Sequence, residues 1–301
     1  SNSSPPQDAV RASVRKESVL NSITVTNTDE TELPNRHPRS LGPKSLFETL
    51  QELPISSHWA ICHSVIPNNG RDIAQAIEQH QATGVSDGSL KFEVGTSAFT
   101  IEGPNGTRIV GVNRVPGPLK DGDSYRCELA GIYAVILIIN AICEYYQITD
   151  GTIEFACDNE ASLHIFEPDF VPDPNMVSFD LVNSAWKIYR QSPIIWKVSH
   201  VKGHRDKFQR TLTYKEKLNV EMDTAAKYYW RTSYTGGFQS SCHHKIHNEG
   251  WTVWNGPHKI AQPNRHNLYQ AIHDPITNRF WMSHRLQNVD ASLIDWEGSE
   301  S

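Results

Sequence analysis

Four carboxylates stand out by where they fall in the chain. Asp87 closes the apolar start of Val85-Ser86-Asp87-Gly88-Ser89, and Glu128 lies in Ser124-Tyr125-Arg126-Cys127-Glu128-Leu129-Ala130. Asp158 follows the run Ile153-Glu154-Phe155-Ala156-Cys157, and Asp223 sits in Leu218-Asn219-Val220-Glu221-Met222-Asp223-Thr224-Ala225-Ala226. Two of them end strand-like runs and two sit inside helical patterns. Carboxylate oxygens are hard ligands suited to Mg²⁺ or Mn²⁺, and crowding four together is unfavourable unless cations neutralise them. A pair of such ions can activate a water and stabilise the leaving oxygen of a phosphodiester. The set therefore points to metal-dependent hydrolysis of nucleic acid.

Each acid taken alone also has an ordinary explanation. Asp-Gly-Ser commonly makes a hairpin turn. Glu128 is favoured in a first helical turn by the helix dipole, and Asp158 can cap a helix starting at Asn159. Asp223, beside Glu221, can belong to a solvated helix face. The four together, each on an element able to present it, favour the metal role.

The elements that must position these acids follow from periodicity. Residues 82–90, 96–102 and 108–115 alternate as three strands, joined by turn-rich segments at 91–95 and 103–106, and short connections make them an antiparallel meander. After Pro116-Gly117-Pro118, Asp123 or Ser124 can cap a helix running to about residue 146, apolar on nearly every side and hence central to the core. Residues 152–157 read as a short strand buried on both faces, as in a parallel sheet. Helices over 159–166 and 178–190, a strand over 194–200 and a helix over 211–230 complete the order β-β-β-α-β-α-α-β-α, a mixed α/β arrangement. Ahead of it, residues 1–43 are rich in Ser, Pro, Asn and Thr and read as a disordered leader or linker. Residues 44–81 form a helical extension with short patterns at 46–50 and 71–77. Residues 231–301 form a C-terminal extension or small subdomain.

Bulk properties bound the function classes. With 301 residues and 38% hydrophobic content the chain can bury a substantial core. Its formal charge of −6 supplies no general positive field for a polyanion, so any nucleic-acid contact must be local or borrowed from a partner. The five cysteines, Cys62, Cys127, Cys143, Cys157 and Cys242, are odd in number and mostly set in apolar runs, which suits a reducing, intracellular setting, cytoplasmic or nuclear. The apolar run 131–142 is too short to span a bilayer, no signal-peptide pattern opens the sequence, and no membrane partner is expected. Cys242-His243-His244-Lys245-Ile246-His247 lacks a second ligand pair at zinc-finger spacing. Trp251, Trp254, Trp281 and Trp296 suit core anchoring better than base stacking.

Over 82–230, the order of elements and acids resembles the ribonuclease H domain, and more closely the versions carried by retrotransposon reverse transcriptases. The resemblance rests on Ser86-Asp87-Gly88-Ser89, Arg126-Cys127-Glu128-Leu129-Ala130-Gly131, Cys157-Asp158-Asn159-Glu160-Ala161, His200-Val201-Lys202-Gly203-His204-Arg205-Asp206 and the closing Leu218-to-Asp223 motif. It implies an RNase H-like fold: a five-stranded mixed sheet, three antiparallel strands then parallel ones, with helices on both faces. It implies two Mg²⁺ ions, with Mn²⁺ as a substitute. Asp87 would bridge both, Glu128 and Asp158 would complete the ion on the leaving-group side, and Asp223 would hold the ion that activates water. His204 matches a loop histidine that shuttles a proton or helps product leave.

The implied substrate is the RNA strand of an RNA–DNA hybrid, cut to leave a 3′-hydroxyl and a 5′-phosphate, with a reverse transcriptase polymerase domain in cis as a further partner. Gly88, Ser89 and Asn159 stand close enough in sequence to the acids to meet the 2′-hydroxyl. Two features depart from compact cellular versions. The segment between His204 and Asp223, with Lys207, Arg210, Lys215 and Lys217, is longer, and a basic insertion that grips hybrid is replaced by a stretch holding Glu167, Asp169, Asp173 and Asp180. The alternatives are a non-cleaving RNase H-like binding or scaffold module, or another nuclease of the same superfamily.

Overall fold

The computed structural model describes residues 10–12, 23–27, 45–92, 94–117, 124–203, 211–234, 246, 251–255 and 258–261. His204, the Cys242–His247 cluster apart from Ile246, the cap candidate Asp123, and Trp281 and Trp296 lie outside these residues.

The chain builds a mixed α/β unit on a six-stranded sheet. Strands β4 (Ala82–Lys91), β5 (Val94–Glu102) and β6 (Arg108–Arg114) form the antiparallel meander expected from alternation. The β5–β6 turn closes with Asn105 Oδ1 accepting from the Thr107 amide at 3.0 Å and Gly106 at φ +79°. Strand β7 (Thr152–Cys157) pairs parallel with β4, and β8 (Ile195–His200) pairs parallel with β7. With a short strand β3 (His63–Val65) at one edge, the sheet order is β3-β6-β5-β4-β7-β8, so β4 and β7 are adjacent and interior.

The sixth strand corrects the five-strand expectation. Strand β3 (His63–Val65) lies in what the sequence marks as a helical extension and adds antiparallel to β6, with Ser64 opposite Gly111. Three residues with only a partly buried centre leave almost no period to read. Gly111 makes the pairing possible, since a side chain there would meet the Phe99 ring at 2.3 Å and Ser64 Oγ at 2.8 Å. The segment around β3 is bound to the body through α1 (Leu46–Gln51), α2 (His58–Ile61) and α3 (Arg71–Glu78). A capping box between Ser45 and Glu48 starts α1. Leu46 and Leu50 enter the core, and the Trp59 ring stacks on Tyr133 at 5.3 Å.

Helix α4 (Ser124–Tyr146) crosses β4 and β5 on one face. Its length and apolar composition would suffice to cross a membrane, yet most of it is enclosed by the sheet and neighbouring helices, which is what its all-round apolarity reflects. Helix α6 (Phe179–Arg190) packs on α4, and α5 (Glu160–Leu163) follows β7. Helix α7 (Tyr214–Tyr234) covers the opposite face, where Leu218, Met222 and Ala226 meet Val85, Ala98 and Ala156. It is pinned by Thr96 Oγ1 donating to the Ala226 carbonyl at 2.9 Å and by Arg108 reaching Glu221 at 2.9 Å.

Two segments inside the expected disordered leader, β1 (Val10–Ala12) and β2 (Ile23–Asn27), form strands. They join β9 (Trp251–Asn255) and β10 (His258–Lys259) in a separate antiparallel sheet ordered β1-β2-β9-β10. Sequence reasoning missed them because runs of three and five residues inside a stretch rich in Ser, Pro, Asn and Thr carry little signal. The later part of the chain touches the main body through buried Ile246 and through the Asp180 amide, which donates to the Ala261 carbonyl at 3.3 Å.

Candidate active site

Sheet register brings the first two acids level. Parallel pairing of β4 with β7 ends at Val85 opposite Ala156, so Asp87 and Asp158 each stand two residues further on. Asp87 is therefore not at a strand end, as its apolar prelude suggests. It lies inside β4, paired to Ala98 on the β5 side, and is open only where β7 stops at Cys157. Side chains alternate across a strand, so Val85 and Asp87 point to the α7 face while Gly84 and Ser86 point to α4.

Glu128 reaches the same spot from the other face because two glycines let α4 come close. A Cβ on Gly88 would lie 2.6 Å from the backbone of Cys127 and Glu128, and one on Gly131 would lie 2.8 Å from Ser86 Cβ. The Gly88 amide then donates to the Glu128 carboxylate. The Cys157 thiol does the same from 3.5 Å. Burial, with Glu128 and Asp158 nearby, pushes that thiol well above its ordinary range, so it stays protonated and acts as a donor. One ligand atom each from Glu128, Cys157 and Asp158 falls within 4.8 Å of the others.

Asp223 arrives on α7, partly exposed at 22% of its side chain, with Lys227 Nζ 2.6 Å from each of its oxygens. One turn earlier, Asn219 points the same way and its Nδ2 donates to Asp87 Oδ1 at 3.0 Å. Sequence reasoning did not single out Asn219. The available signal was its place four residues before Asp223, which puts both on one helix face.

The electrostatics show how tightly the four acids are gathered. Burial first, then repulsion from Glu128, Asp158 and Asp223, pushes Asp87 up to about 10, with the Asn219 bond opposing. Burial, then Asp158, pushes Glu128 up to about 8, with Gly88 and Cys157 opposing. Among the described residues, the largest influences on Asp87 beyond burial are three acids, which raise it, and one amide, which lowers it. A set this rich in carboxylate oxygens fits Mg²⁺ or Mn²⁺.

The remaining sequence candidates divide. Gly88 serves the approach of α4 and the Glu128 bond. Asn159, rather than Asp158, caps α5: its Oδ1 accepts from the Ser162 amide at 3.0 Å and the Ser162 hydroxyl at 3.1 Å. Ser89 lines a cleft beside Lys227. The segment leading towards His204 starts at the cluster, since a Cβ on Gly203 would meet Asp158 Oδ2 at 2.3 Å. His200 Nε2 lies 3.0 Å from the Asp158 carbonyl and ties the end of β8 to the same point.

No protein-family model matches the chain, and no curated protein matches it either. Among solved structures it is similar to the crystal structure of RNase H1 from the halophilic archaeon Halobacterium salinarum NRC-1, at 14% identity and a TM-score of 0.29, over 48% of this chain and 98% of that one.

Proposed function

We propose that the chain is a divalent-metal-dependent nuclease of the RNase H-like kind that hydrolyses the RNA strand of RNA–DNA hybrids. The observation carrying this reading is the meeting of Asp87, Glu128, Asp158 and Asp223, from β4, α4, the end of β7 and α7, at one point where two of them are buried and strongly perturbed. Four carboxylates gathered at one point repel one another, so a cation-dependent chemistry is a physical reason to hold them together.

Asp87, Glu128, Asp158 and Asp223 would hold the divalent ions. Bound Mg²⁺ or Mn²⁺ supplies a water activated for in-line attack and charge stabilisation at the leaving oxygen. The protein's own part is orientation. Asn219 fixes Asp87, Gly88 and Cys157 fix Glu128, and His200 fixes the backbone at Asp158. His204 is proposed as the proton-handling residue and Ser89 as a substrate contact. Resemblance of the sequence motifs alone supports an intracellular retroelement reverse transcriptase as the biological setting.

The test is cleavage of an end-labelled RNA–DNA hybrid with Mg²⁺ or Mn²⁺, comparing the native chain with Asp87→Asn. Cleavage confined to the RNA strand, dependent on metal and lost in the variant, is the expected result. A native chain that binds both ions and hybrid yet leaves the RNA intact would overturn the reading.

A further inference from the structure

The β4–β5 hairpin tip and the last turns of α7 form an open cleft of about 210 Å³ lined by Ser89, Leu90, Lys91, Lys227, Trp230 and Arg231. Half of these residues are cationic, in a chain whose formal charge is −6. Trp230 is the fixed wall: it is 7% exposed and its Nε1 donates to the Lys91 carbonyl at 3.1 Å. The Lys91 ammonium lies 4.9 Å from the centre of the Trp230 ring and 5.4 Å from that of Phe92. Phe92 itself is 70% exposed and sits at φ +49°, a left-handed conformation that bulky side chains rarely adopt. The hairpin thus holds a largely exposed ring, one side of which meets the Trp230 ring at 5.9 Å, against its backbone preference.

The cleft also runs into the acid cluster. Ser89 is two residues beyond Asp87, and Lys227 binds the Asp223 carboxylate. At the helical rise, Lys227 and Arg231 stand about 6 and about 12 Å along α7 from Asp223. Spaced cations flanking an exposed aromatic ring are the combination that tracks a nucleic-acid backbone.

We propose that this cleft is a strand-binding subsite: it holds backbone phosphates of the strand flanking the acids through Lys91, Lys227 and Arg231, with the Phe92 ring against the adjoining sugar or base. The proposal rests on the reading of the acids as a nuclease site and adds where the substrate continues beyond them. It also answers how an acidic chain holds a polyanion, since the attraction is concentrated in one groove.

The test is a fluorescence-anisotropy titration of labelled RNA–DNA hybrid with Mg²⁺, in the full chain carrying Asp87→Asn so that the hybrid survives. Replacing Lys91 and Arg231 together by Ala is expected to weaken binding at least about tenfold, and to reduce the slope of log affinity on log salt by about 2 between about 50 and about 200 mM. Phe92→Asn, which tolerates the left-handed backbone, is expected to weaken binding with the slope unchanged. Unchanged affinity and slope in both variants, with unchanged thermal unfolding, would overturn the subsite, as would a parent chain that does not bind hybrid. Cleavage by the unsubstituted chain separates the two readings. Cleavage with an unaltered slope removes the subsite and leaves the nuclease; an altered slope without cleavage does the reverse.

Discussion

Asn219 Nδ2 and Asp87 Oδ1 are joined by a 3.0 Å hydrogen bond that ties the last helix to the central strand at the most buried of the acids. Among the described residues, the amide favours the Asp87 charge against burial and three neighbouring carboxylates. Removing a partner that orients a metal-binding carboxylate costs roughly 10–100-fold in metal affinity or activity. Asn219→Ala is therefore expected to weaken Mn²⁺ binding and hydrolysis within that range while lowering stability by only about 1 kcal/mol. Calorimetric Mn²⁺ titration and urea unfolding check the two halves. Native metal affinity in the variant would remove Asn219 from the site.

The raised values of Asp87, about 10, and Glu128, about 8, set the sign of a pH effect in the metal-free chain. Unfolded carboxyls titrate near about 4, so above that pH the fold retains protons that the unfolded chain has lost. Stability from these groups is complete below about pH 4 and falls as pH rises through about 8 to 10. The melting temperature without divalent ions is expected to drop by at least about 2–4 °C between pH 5 and pH 9. Mg²⁺ or Mn²⁺ should offset the drop by binding the ionised set, and Asp87→Asn should reduce it without metal. An equal drop in Asp87→Asn would assign it elsewhere.

Gly88→Ala places a methyl 2.6 Å from the Cys127 and Glu128 backbone, where no flexible side chain can yield. Helix α4 must retreat from β4, with an expected loss of about 1–3 kcal/mol. Because the Gly88 amide also orients Glu128, metal binding should fall further than stability alone explains. Gly106→Ala, where a Cβ meets nothing within 4 Å but φ is +79°, serves as a strain-only control. Chemical unfolding and Mn²⁺ affinity measured side by side would separate packing from ligand placement.

Two residues before Glu128, the buried Arg126 donates to both oxygens of Asp180 at 2.6 and 2.8 Å and to the Pro116 carbonyl at 2.7 Å. Breaking such a pair from one side strands a buried charge and costs about 3–5 kcal/mol. Asp180→Asn and Arg126→Met should each approach that loss, and the double replacement Arg126→Met with Asp180→Leu should be less damaging than their sum. A double-mutant cycle with strictly additive effects would show that the pair does not act as a unit.

The parts of the fold that proved legible were those where one pattern sufficed. Alternation marked β4 to β6, and the uninterrupted apolar character of α4 marked a core helix. Short apolar runs beside acids marked β7 and Asp158. What escaped notice depended on register and on distant partners. Nothing local in Val85-Ser86-Asp87 says that β7 stops level with Cys157, so Asp87 looked terminal when it is interior. Asn219 reads as an ordinary helix amide until Asp87 is placed opposite it. Gly88 and Asn159 also carry roles that their adjacency to the acids in sequence does not reveal: in the fold one makes room for a helix and the other caps one.

The small sheet sets an order on how this chain can mature. Asn27 pairs with Trp251 and Ile23 with Asn255, a separation on the order of 200 residues. During synthesis at roughly 5–20 residues per second, β1 and β2 wait about 10–45 s for β9 to appear. Until then they are at most a two-stranded ribbon, which is marginal in water and exposes a pairing edge. The main sheet, whose strands all lie between His63 and His200, can close within that interval. Acid-cluster assembly can thus precede closure of the outer sheet. Shortening either outer segment should leave the other with an unpaired strand, and an aggregation tendency is then expected before any change at the carboxylates.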